Sequence, residues 1–341
     1  MSPTIKDVAK KAGVSLSTVS LVINHKSYVS PETKEKVEAA IVELNYHPRR
    51  NARGLASKKT HNIGFIVTED HFSQAEPFYT RIFLGTELEA RKYDYYILLT
   101  TVPKNFKEGS HVPRFLLEKN VDGVILAGKV PLKLISYIQK LELPLVLVDY
   151  YTPKNRTSTV VIDNYQGARL AVERFIKDGH RKIAFIGGET NHPSIRERLR
   201  GYQETLQEHN IPIVDNLISF GEPYTGFKDG YEAASKLLGA GVSFTAIFAT
   251  NDTMAIGAMQ CLRSRNLKIP QDVSVIGFDD IEVCLHVEPR LSTVRVFKEE
   301  LGAVAVRGLV DKIEKCTMMA NQVIAPVELV LRESTGKVCK T

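Results

Sequence analysis

Residues 49 to 59, RRNARGLASKK, place five cationic side chains around a single leucine, Leu55. Cations at this density suit the phosphates of a nucleic acid, and one large apolar side chain among them can enter a base step. A helix this short is marginal in water because nucleation is costly, and Gly54 weakens it by roughly 1 kcal/mol relative to alanine. We therefore predict a segment that becomes helical only against a partner; the alternative is a flexible basic tether.

The positive charge of the chain is concentrated in its first part. The 341 residues carry a net charge of +6, and residues 1–60 account for all of it. A basic head on a neutral body indicates a polyanionic partner for the head alone.

A second group of polar residues follows apolar runs further along the chain. These residues are Thr68, Asp149, GGETN at 187–191, TND at 250–252 and DD at 279–280. In an open parallel sheet, ligands bind beyond the carboxyl ends of the strands. Because carboxylates and amides bridge sugar hydroxyls well, these residues predict a small polar ligand and domain closure on binding.

The elements that would position these residues form two α/β series from residue 62 onward. Apolar runs predict strands at 62–67, 95–100, 122–128, 143–149, 159–163, 182–188, 244–250 and 274–280. Helical patterns lie between them at 79–92, 165–179, 195–210 and 252–266. Runs that are apolar on both faces are typical of buried parallel strands, so we expect two doubly wound lobes that meet near residues 150–162, with a cleft between them.

The basic head has the pattern of a helix-turn-helix. Apolar residues at helical spacing stop at Gly13 and resume after Ser15, a suitable N-cap; a third helix begins at Ser30 and Pro31. The side chains expected to face inward are Ile5, Val8, Ala9, Ala12, Val19, Val22, Ile23, Val37, Ala40, Ile41 and Leu44. An all-α head of this kind offers its second helix to a major groove, and the alternative is a small helical bundle that binds other proteins.

Several classes of protein are disfavoured. No apolar run is long enough to cross a bilayer and the N-terminus has no secretory apolar region, so we expect a cytoplasmic protein instead of a secreted binding protein. The four cysteines are scattered, which predicts reduced thiols and no metal site. The IGG turn at 186–188 lacks the full dinucleotide-binding spacing, and no nucleophile motif accompanies Asp279 and Asp280, so neither a cofactor nor catalysis is expected.

The head resembles the lactose-repressor (LacI/GalR) family of bacterial transcription regulators, through TIKDVAKKAGVS, TVS, VIN, VSPETKEKV and LNYHP. The resemblance implies that Leu16, Ser17 and Leu21 read bases and that Leu55 is a minor-groove wedge. Family members often carry Arg or His where this chain has Leu21, which cannot donate to guanine, so the operator is expected to differ. The full set of implied DNA contacts is Thr4, Ser15, Leu16, Ser17, Thr18, Leu21, Asn24, Arg49, Arg50, Ala52, Arg53, Leu55 and Lys58.

The body resembles the effector domain that this family shares with periplasmic sugar-binding proteins, through RLRGY, FATND, VSVIGFDD and LSTVR. The implied effector contacts are Arg198, Asp279, Asn251 and Asp149, with Thr68, Phe78 and Ser194 around the rim. Alternatives remain for two of them: Arg198 could form a surface ion pair with Glu197 or Glu204, and Asp279 could cap the following turn. Whether Tyr224 or Phe227 stacks on a ligand is left open, and the Gln-Pro that many members have after VR is absent.

The resemblance also implies a domain plan in which the chain crosses between lobes three times. We expect a helix-turn-helix domain at 1–48, a hinge helix at 49–60 and an effector-binding and dimerisation domain at 61–341. The N-lobe would comprise about 61–161 and 292–321, and the C-lobe about 162–291 and 322–334.

The expected function is a repressor of a carbohydrate-utilisation operon, released from double-stranded operator DNA by a small sugar-like effector. The alternative is control by a phosphorylated carrier protein or a corepressor. A homodimer is expected because no leucine heptad of a four-chain assembly follows residue 331, and no membrane partner is expected.

Overall fold

The computed structural model describes residues 3–23, 28–46, 59–73, 78–152, 157–221, 226–315 and 319–338. The chain divides into two compact units, residues 1–60 and residues 61–341. The predicted combination of an all-α head and a two-lobed α/β body is confirmed.

The head contains three helices, α1 (Ile5–Ala12), α2 (Leu16–Ile23) and α3 (Pro31–Glu43). Gly13 ends α1 with φ of +66°, a left-handed conformation that glycine adopts without steric cost. The Ser15 hydroxyl accepts the Thr18 N–H at 3.1 Å, and Ser30 does the same for Thr33 at 3.3 Å, so both predicted N-caps are present.

A small apolar core closes the three helices. Its buried members are Val8, Ala9, Val19, Val22, Val37, Ala40 and Tyr46, and Ile5, Ala12, Ile23, Ile41 and Leu44 pack around them. The inward faces predicted from helical spacing are therefore confirmed.

The first lobe of the body is built on a six-stranded sheet in the order β11-β5-β4-β3-β1-β2, with every pairing parallel. Its strands are β1 (Asn62–Thr68), β2 (Tyr96–Val102), β3 (Gly123–Ala127), β4 (Leu145–Val148), β5 (Ser158–Ile162) and β11 (Gln322–Ala325). Its helices are α4 (Glu69–Ser73), α5 (Phe78–Lys92), α6 (Arg114–Leu117), α7 (Leu132–Lys140) and α12 (Lys298–Lys315).

The second lobe repeats this arrangement in the order β12-β10-β9-β8-β6-β7, with only β12 antiparallel to its neighbour. Its strands are β6 (Ile183–Gly187), β7 (Ile218–Phe220), β8 (Ala246–Ala249), β9 (Ser274–Asp279), β10 (Ser292–Val296) and β12 (Val327–Val330). Its helices are α8 (Asn164–Lys177), α9 (Pro193–Glu208), α10 (Phe227–Gly239) and α11 (Asp252–Ser264), with 3-10 turns at Asp215–Leu217 and Glu282–Leu285.

Two of the expected lobe boundaries are wrong by a strand. The segment 292–321 was expected in the N-lobe, yet β10 lies beside β9 in the second sheet; the segment 322–334 was expected in the C-lobe, yet β11 lies beside β5 in the first sheet. Each strand completes the main-chain pairing of its sheet before the chain leaves the lobe. The three crossings therefore fall after Ile162, Val296 and Ala325.

Candidate functional site

A cavity of about 400 Å³ lies between the two lobes, where the carboxyl ends of their strands face each other. It is lined by Asp70, His71, Phe78, Tyr79, Lys104, Lys129, Val130, Pro131, Asp149, Glu189, His192, Ser194, Ile195, Arg198, Asn251 and Asp279. The size and the mixture of aromatic and polar groups are those of a small-molecule site.

Arg198 on α9 is a buried charge of this cavity that is held by three polar groups. Its Nε–H donates to Asn164 Oδ1 at 2.7 Å, one terminal nitrogen donates to the Thr250 carbonyl, and the other lies 3.6 Å from Asp279 Oδ1. The residue is only 4% exposed. These contacts fix the guanidinium plane, so its remaining N–H groups meet a ligand in a set orientation.

The surface ion pair considered for Arg198 does not form. Arg200, two residues further along the helix and exposed, lies 2.8 Å from Glu197 and 3.9 Å from Glu204 instead. The helical periodicity places Arg198 on the cavity side of α9 and Arg200 on the solvent side.

Asp149, directly after β4, connects the two lobes. Its carboxylate accepts hydrogen bonds from Ser194 of the second lobe at 2.9 Å and from Tyr79 of the first lobe at 3.1 Å. Burial raises the pKa of this carboxyl group, while Arg198 and the two hydroxyl groups act in the opposite direction. Asp149 and Ser194 are thus brought together across the cleft.

Asp279 takes the place in the second sheet that Asp149 takes in the first, since β9 and β4 occupy the same position in the two strand orders. Both residues have positive φ, 111° for Asp279 and 55° for Asp149, and Asp280 follows with 54°. Non-glycine residues in such conformations cost on the order of 1–3 kcal/mol and are found where the surroundings hold them, often at functional sites.

The two adjacent carboxylates at the end of β9 point to different partners. Asp280 binds Arg295 at 2.7 Å and Arg332 at 2.6 Å, whereas Asp279 lines the cavity. The pair is therefore not arranged for acid–base chemistry on one ligand.

Asn251 has two roles, because it lines the cavity and also caps α11. Its Oδ1 accepts the N–H of Met254 at 2.7 Å, so the cap fixes the side chain at the edge of the cavity.

Thr68 is the one implied effector residue that the cavity does not contain. It is completely buried at the end of β1, because the chain turns at once into α4 and brings Asp70 and His71 to the cavity instead. Phe78 does line the cavity. Phe227 opens α10 and is 41% exposed outside the cavity, and Tyr224 lies outside the described residues.

Two histidines that the sequence did not single out face the cavity from opposite lobes. Burial lowers the pKa of His71 to about 4, with nearby Asp70 acting in the opposite direction, and burial lowers the pKa of His192 to about 4, with Arg198 and Lys129 adding to the effect. His71 stacks on Tyr79, and His192 Nδ1 accepts the N–H of Ser194 at 3.2 Å. Both rings are neutral at pH 7 and can exchange hydrogen bonds with hydroxyl groups.

Two lysines complete the lining, each against a carboxylate. Lys104 lies 2.8 Å from Asp70 within the first lobe, and Lys129 of the first lobe lies 3.1 Å from Glu189 of the second. The sequence indicated Glu189 through its position in the GGETN run after β6. No neighbouring sequence feature indicated that the two lysines line the cavity.

On the head, the implied base-reading residues are accessible. Leu16 and Leu21 are 44% and 37% exposed and Ser17 is exposed as well, all on α2. The side chains of Ser15 and Thr4 form hydrogen bonds at helix N-termini of the head. Ser15 caps α2, and the Thr4 hydroxyl donates to Asp7 at 2.7 Å in a capping box. Thr18 is partly buried. Asn24, Arg49, Arg50, Ala52, Arg53, Leu55 and Lys58 lie outside the described residues.

Some other kinds of site find no support in the described ranges. Within those ranges no cluster of three or more His, Cys, Asp or Glu side chains could hold a metal ion, and no helix is long and apolar enough to span a bilayer. Cys261 and Cys284 are buried free thiols.

Comparison with known proteins finds a matching family model in each of the two units. Residues 4–49 match the model of bacterial regulatory proteins of the lacI family, and residues 172–335 match that of a periplasmic binding protein-like domain. Catabolite control protein A of Priestia megaterium is 36% identical over 337 residues, which cover 98% of this chain and all of that protein.

Two solved structures agree along the whole length. The lac repressor dimer bound to operator and the anti-inducer ONPF has a TM-score of 0.83 at 29% identity, over 98% of this chain and 100% of that one. The complex of the transcriptional regulator CelR with cellobiose has a TM-score of 0.75 at 33% identity, over 97% and 99%. The chain therefore belongs to the lacI family of bacterial regulatory proteins: it is a DNA-binding transcription regulator with a periplasmic-binding-protein-like effector domain, and not an enzyme.

Proposed function

We propose that this regulator is a dimeric repressor of carbohydrate-use genes, released from its operator when an uncharged, polyhydroxylated effector fills the cleft. The observation that carries the proposal is the charge pairing of the cavity. Each cation that lines it faces a carboxylate: Lys104 with Asp70, Lys129 with Glu189, and Arg198 with Asp279.

Such a lining favours a neutral ligand over an anionic one. An anion would have to displace a carboxylate from its cation or remain unpaired in a partly desolvated cavity, and either is costly. Sugar hydroxyls both donate and accept, so they match paired carboxylates, neutral imidazoles and the Asn251 amide at once. Phe78 and Tyr79 add apolar faces on which a sugar ring can lie.

The likeness to the CelR–cellobiose complex supports a saccharide of one or two rings. Effector binding would be coupled to DNA release if closure of the lobes on the ligand changes the cleft contacts, since a ligand shifts the equilibrium only by its differential affinity for the two states.

On the DNA side, two heads would grip a pseudo-palindromic operator. The exposed α2 residues Leu16, Ser17 and Leu21 would read bases, with Leu21 making apolar contact in place of a hydrogen bond. Leu55 would enter a base step between the half-sites, and the cations of 49–59 would contact phosphates and set the salt dependence of binding.

A surface on the first lobe fits the second copy that this mechanism needs. Leu84 and Leu88 are exposed one turn apart on α5, and Leu99 is exposed on β2, the edge strand of the first sheet. Apolar side chains grouped on a helix and an adjacent edge strand are typical of a protein interface.

Calorimetry with matched ligands tests the effector assignment. Cellobiose is compared with its 6′-phosphate, and ribose with ribose 5-phosphate, so that each pair differs by one anionic group. The neutral members are expected to bind the more tightly. Tighter binding of the anionic members, or binding of a phosphorylated carrier protein while both sugars fail, would reject a neutral sugar effector.

A gel shift tests the regulatory half. The promoter of the neighbouring genes is titrated with the full chain, with and without the sugars that bind. Retardation that those sugars reverse is expected; retardation that they strengthen would make the effector a corepressor.

A further inference from the structure

Lys298 is buried, although lysine is rarely so, and it stands at a junction between the lobes. It is the first residue of α12, directly after the second crossing, and is 7% exposed. Its ammonium group donates to the carbonyl oxygen of Asp279, to that of Asp280 at 3.2 Å and to that of Val296 at 3.3 Å. The three donors of the ammonium group thus have three backbone acceptors in the second lobe, while α12 packs on α5, β3 and β4 of the first.

The residues held by Lys298 are those whose backbone is unusual. Asp279 and Asp280 are consecutive non-glycine residues with positive φ, and their carbonyl groups are turned toward the ammonium group. The direction of the Asp279 side chain depends on that backbone conformation, because Cα fixes where the carboxylate can reach. Lys298 therefore supports, from the backbone side, the contact between Asp279 and Arg198, in which Asp279 Oδ1 lies 3.6 Å from a terminal nitrogen of Arg198.

Asn164 occupies the matching place at the first crossing and has a parallel set of contacts. It is the first residue of α8, two positions after β5, as Lys298 is two positions after β10. Its Nδ2 donates to the Ile162 carbonyl at 3.1 Å, just as Lys298 donates to that of Val296, and its Oδ1 accepts from Arg198. Each of these crossings thus begins its helix with a side chain that holds one charged residue of the cavity.

Helix stability does not account for the lysine. A cation in the first turn of a helix is unfavourable to the helix dipole, and carbonyl acceptors from its own last turn are out of reach there. Lys312 near the other end of α12 is the ordinary case, since it donates to the Met319 carbonyl at 2.6 Å away from the cavity.

We infer that Lys298 is a positioning residue of the effector cavity, which fixes Asp279 beside Arg198 and ties that geometry to helix α12 of the opposite lobe. The statement that Lys298 serves effector binding rests on the proposed function of the cavity. The geometry itself is tested without a ligand.

The test uses the full chain and the Nε–H signal of Arg198 in a nitrogen–proton NMR spectrum. That proton lies beside the Phe278 ring and donates to Asn164, so its signal is displaced by the ring and reports the position of the residue before Asp279. The signal is identified by its loss in Arg198→Lys. In Lys298→Met it is expected to shift or broaden, and the amides of Asp280 and Ile281, which donate to Thr293 and Asp252, are expected to exchange faster with solvent.

Lys312→Met is the matched control, because it removes an ammonium-to-carbonyl bond from the same helix without touching the turn. It is expected to leave the Arg198 signal and both amides unchanged. Should Lys298→Met not fold, Lys298→Gln retains two donors and is expected to show the same changes to a smaller degree.

An unmoved Arg198 signal in a folded Lys298 variant would overturn the inference and leave only a structural role at the crossing. Equal changes in the Lys312 control would overturn it too. Neither outcome bears on the proposed function, which fails separately if no neutral sugar binds in calorimetry.

Discussion

The guanidinium carbon of Arg198, on α9, lies 3.6 Å from the centroid of the Phe278 ring, so the guanidinium group packs against the last apolar side chain of β9. Gly167 makes room for this arrangement, since a Cβ there would come within 2.6 Å of the same ring. The guanidinium group makes a cation–π contact through its face and contacts three polar groups through its nitrogen atoms. Only a planar, forked side chain can make all of these contacts together.

Replacing Arg198 by lysine is expected to reduce effector affinity at least about tenfold while operator binding persists, since lost charge-assisted hydrogen bonds cost about 1.5–3 kcal/mol each. Calorimetry with the neutral sugar that binds the unmodified chain measures the loss. Arg200→Lys, on the exposed side of the same helix, is the control and should bind that sugar normally. Equal affinities for both variants would remove Arg198 from the site.

The stability of the body is expected to fall as pH drops from 6.5 toward 4, because His71 and His192 have pKa values lowered to about 4 in the folded protein. In that window the unfolded chain binds protons that the folded chain does not, which destabilises the folded state. At pH 5 each histidine should account for about 2 kcal/mol of lost stability.

Urea unfolding at pH 7 and pH 5 measures this loss. His71→Gln and His192→Gln should each flatten the pH dependence. The raised pKa of Asp149 acts with the opposite sign, so the differences between variants are the informative quantity.

Gly302→Ala is expected to destabilise the first lobe by about 1–3 kcal/mol or more, as overpacking does. A Cβ on Gly302 would lie 2.1 Å from the Ile82 carbonyl oxygen, and one on Gly85 would lie 1.9 Å from that of Glu299, so α5 and α12 touch backbone to backbone. Gly308→Ala on the same helix meets nothing within 4 Å and should stabilise by up to about 1 kcal/mol. Thermal unfolding measures the change in stability of both variants, which is expected to be negative for Gly302→Ala and positive for Gly308→Ala. Unchanged stability of Gly302→Ala would refute the close backbone contact between α5 and α12.

Leu55→Ala is expected to weaken operator binding and to leave sugar affinity unchanged, because a minor-groove wedge contributes only on DNA. Gel shifts and calorimetry measure the two affinities separately. Unchanged operator affinity would contradict the wedge role. Equal helical order of 49–59 in free, operator-bound and sugar-bound samples would contradict coupled folding of this segment.

Local pattern was a good guide where a residue's role depends on its neighbours in the chain. Eight predicted strands and four predicted body helices lie where apolar runs and helical spacing placed them, and Gly13, Ser15 and Ser30 end or begin their helices as expected. Such features follow from main-chain geometry within a few residues.

The lobe boundaries needed the sheets themselves. Nothing in Ser292–Val296 or Gln322–Ala325 identifies which sheet each strand joins, because the choice depends on pairing with strands more than ten residues away. The same is true of Thr68, whose type and position suited a ligand contact but which is completely buried at the end of β1.

The sequence by itself determined a basic three-helix head, an α/β body and the polar strand ends that face a ligand, since charge and hydrophobic period are properties of short stretches. Only the tertiary structure decided that Lys129 meets Glu189, that His71 and His192 share one cavity, and that Lys298 lies behind Asp279. Those pairs come from different parts of the chain, and their chemistry exists only once packing has removed water between them.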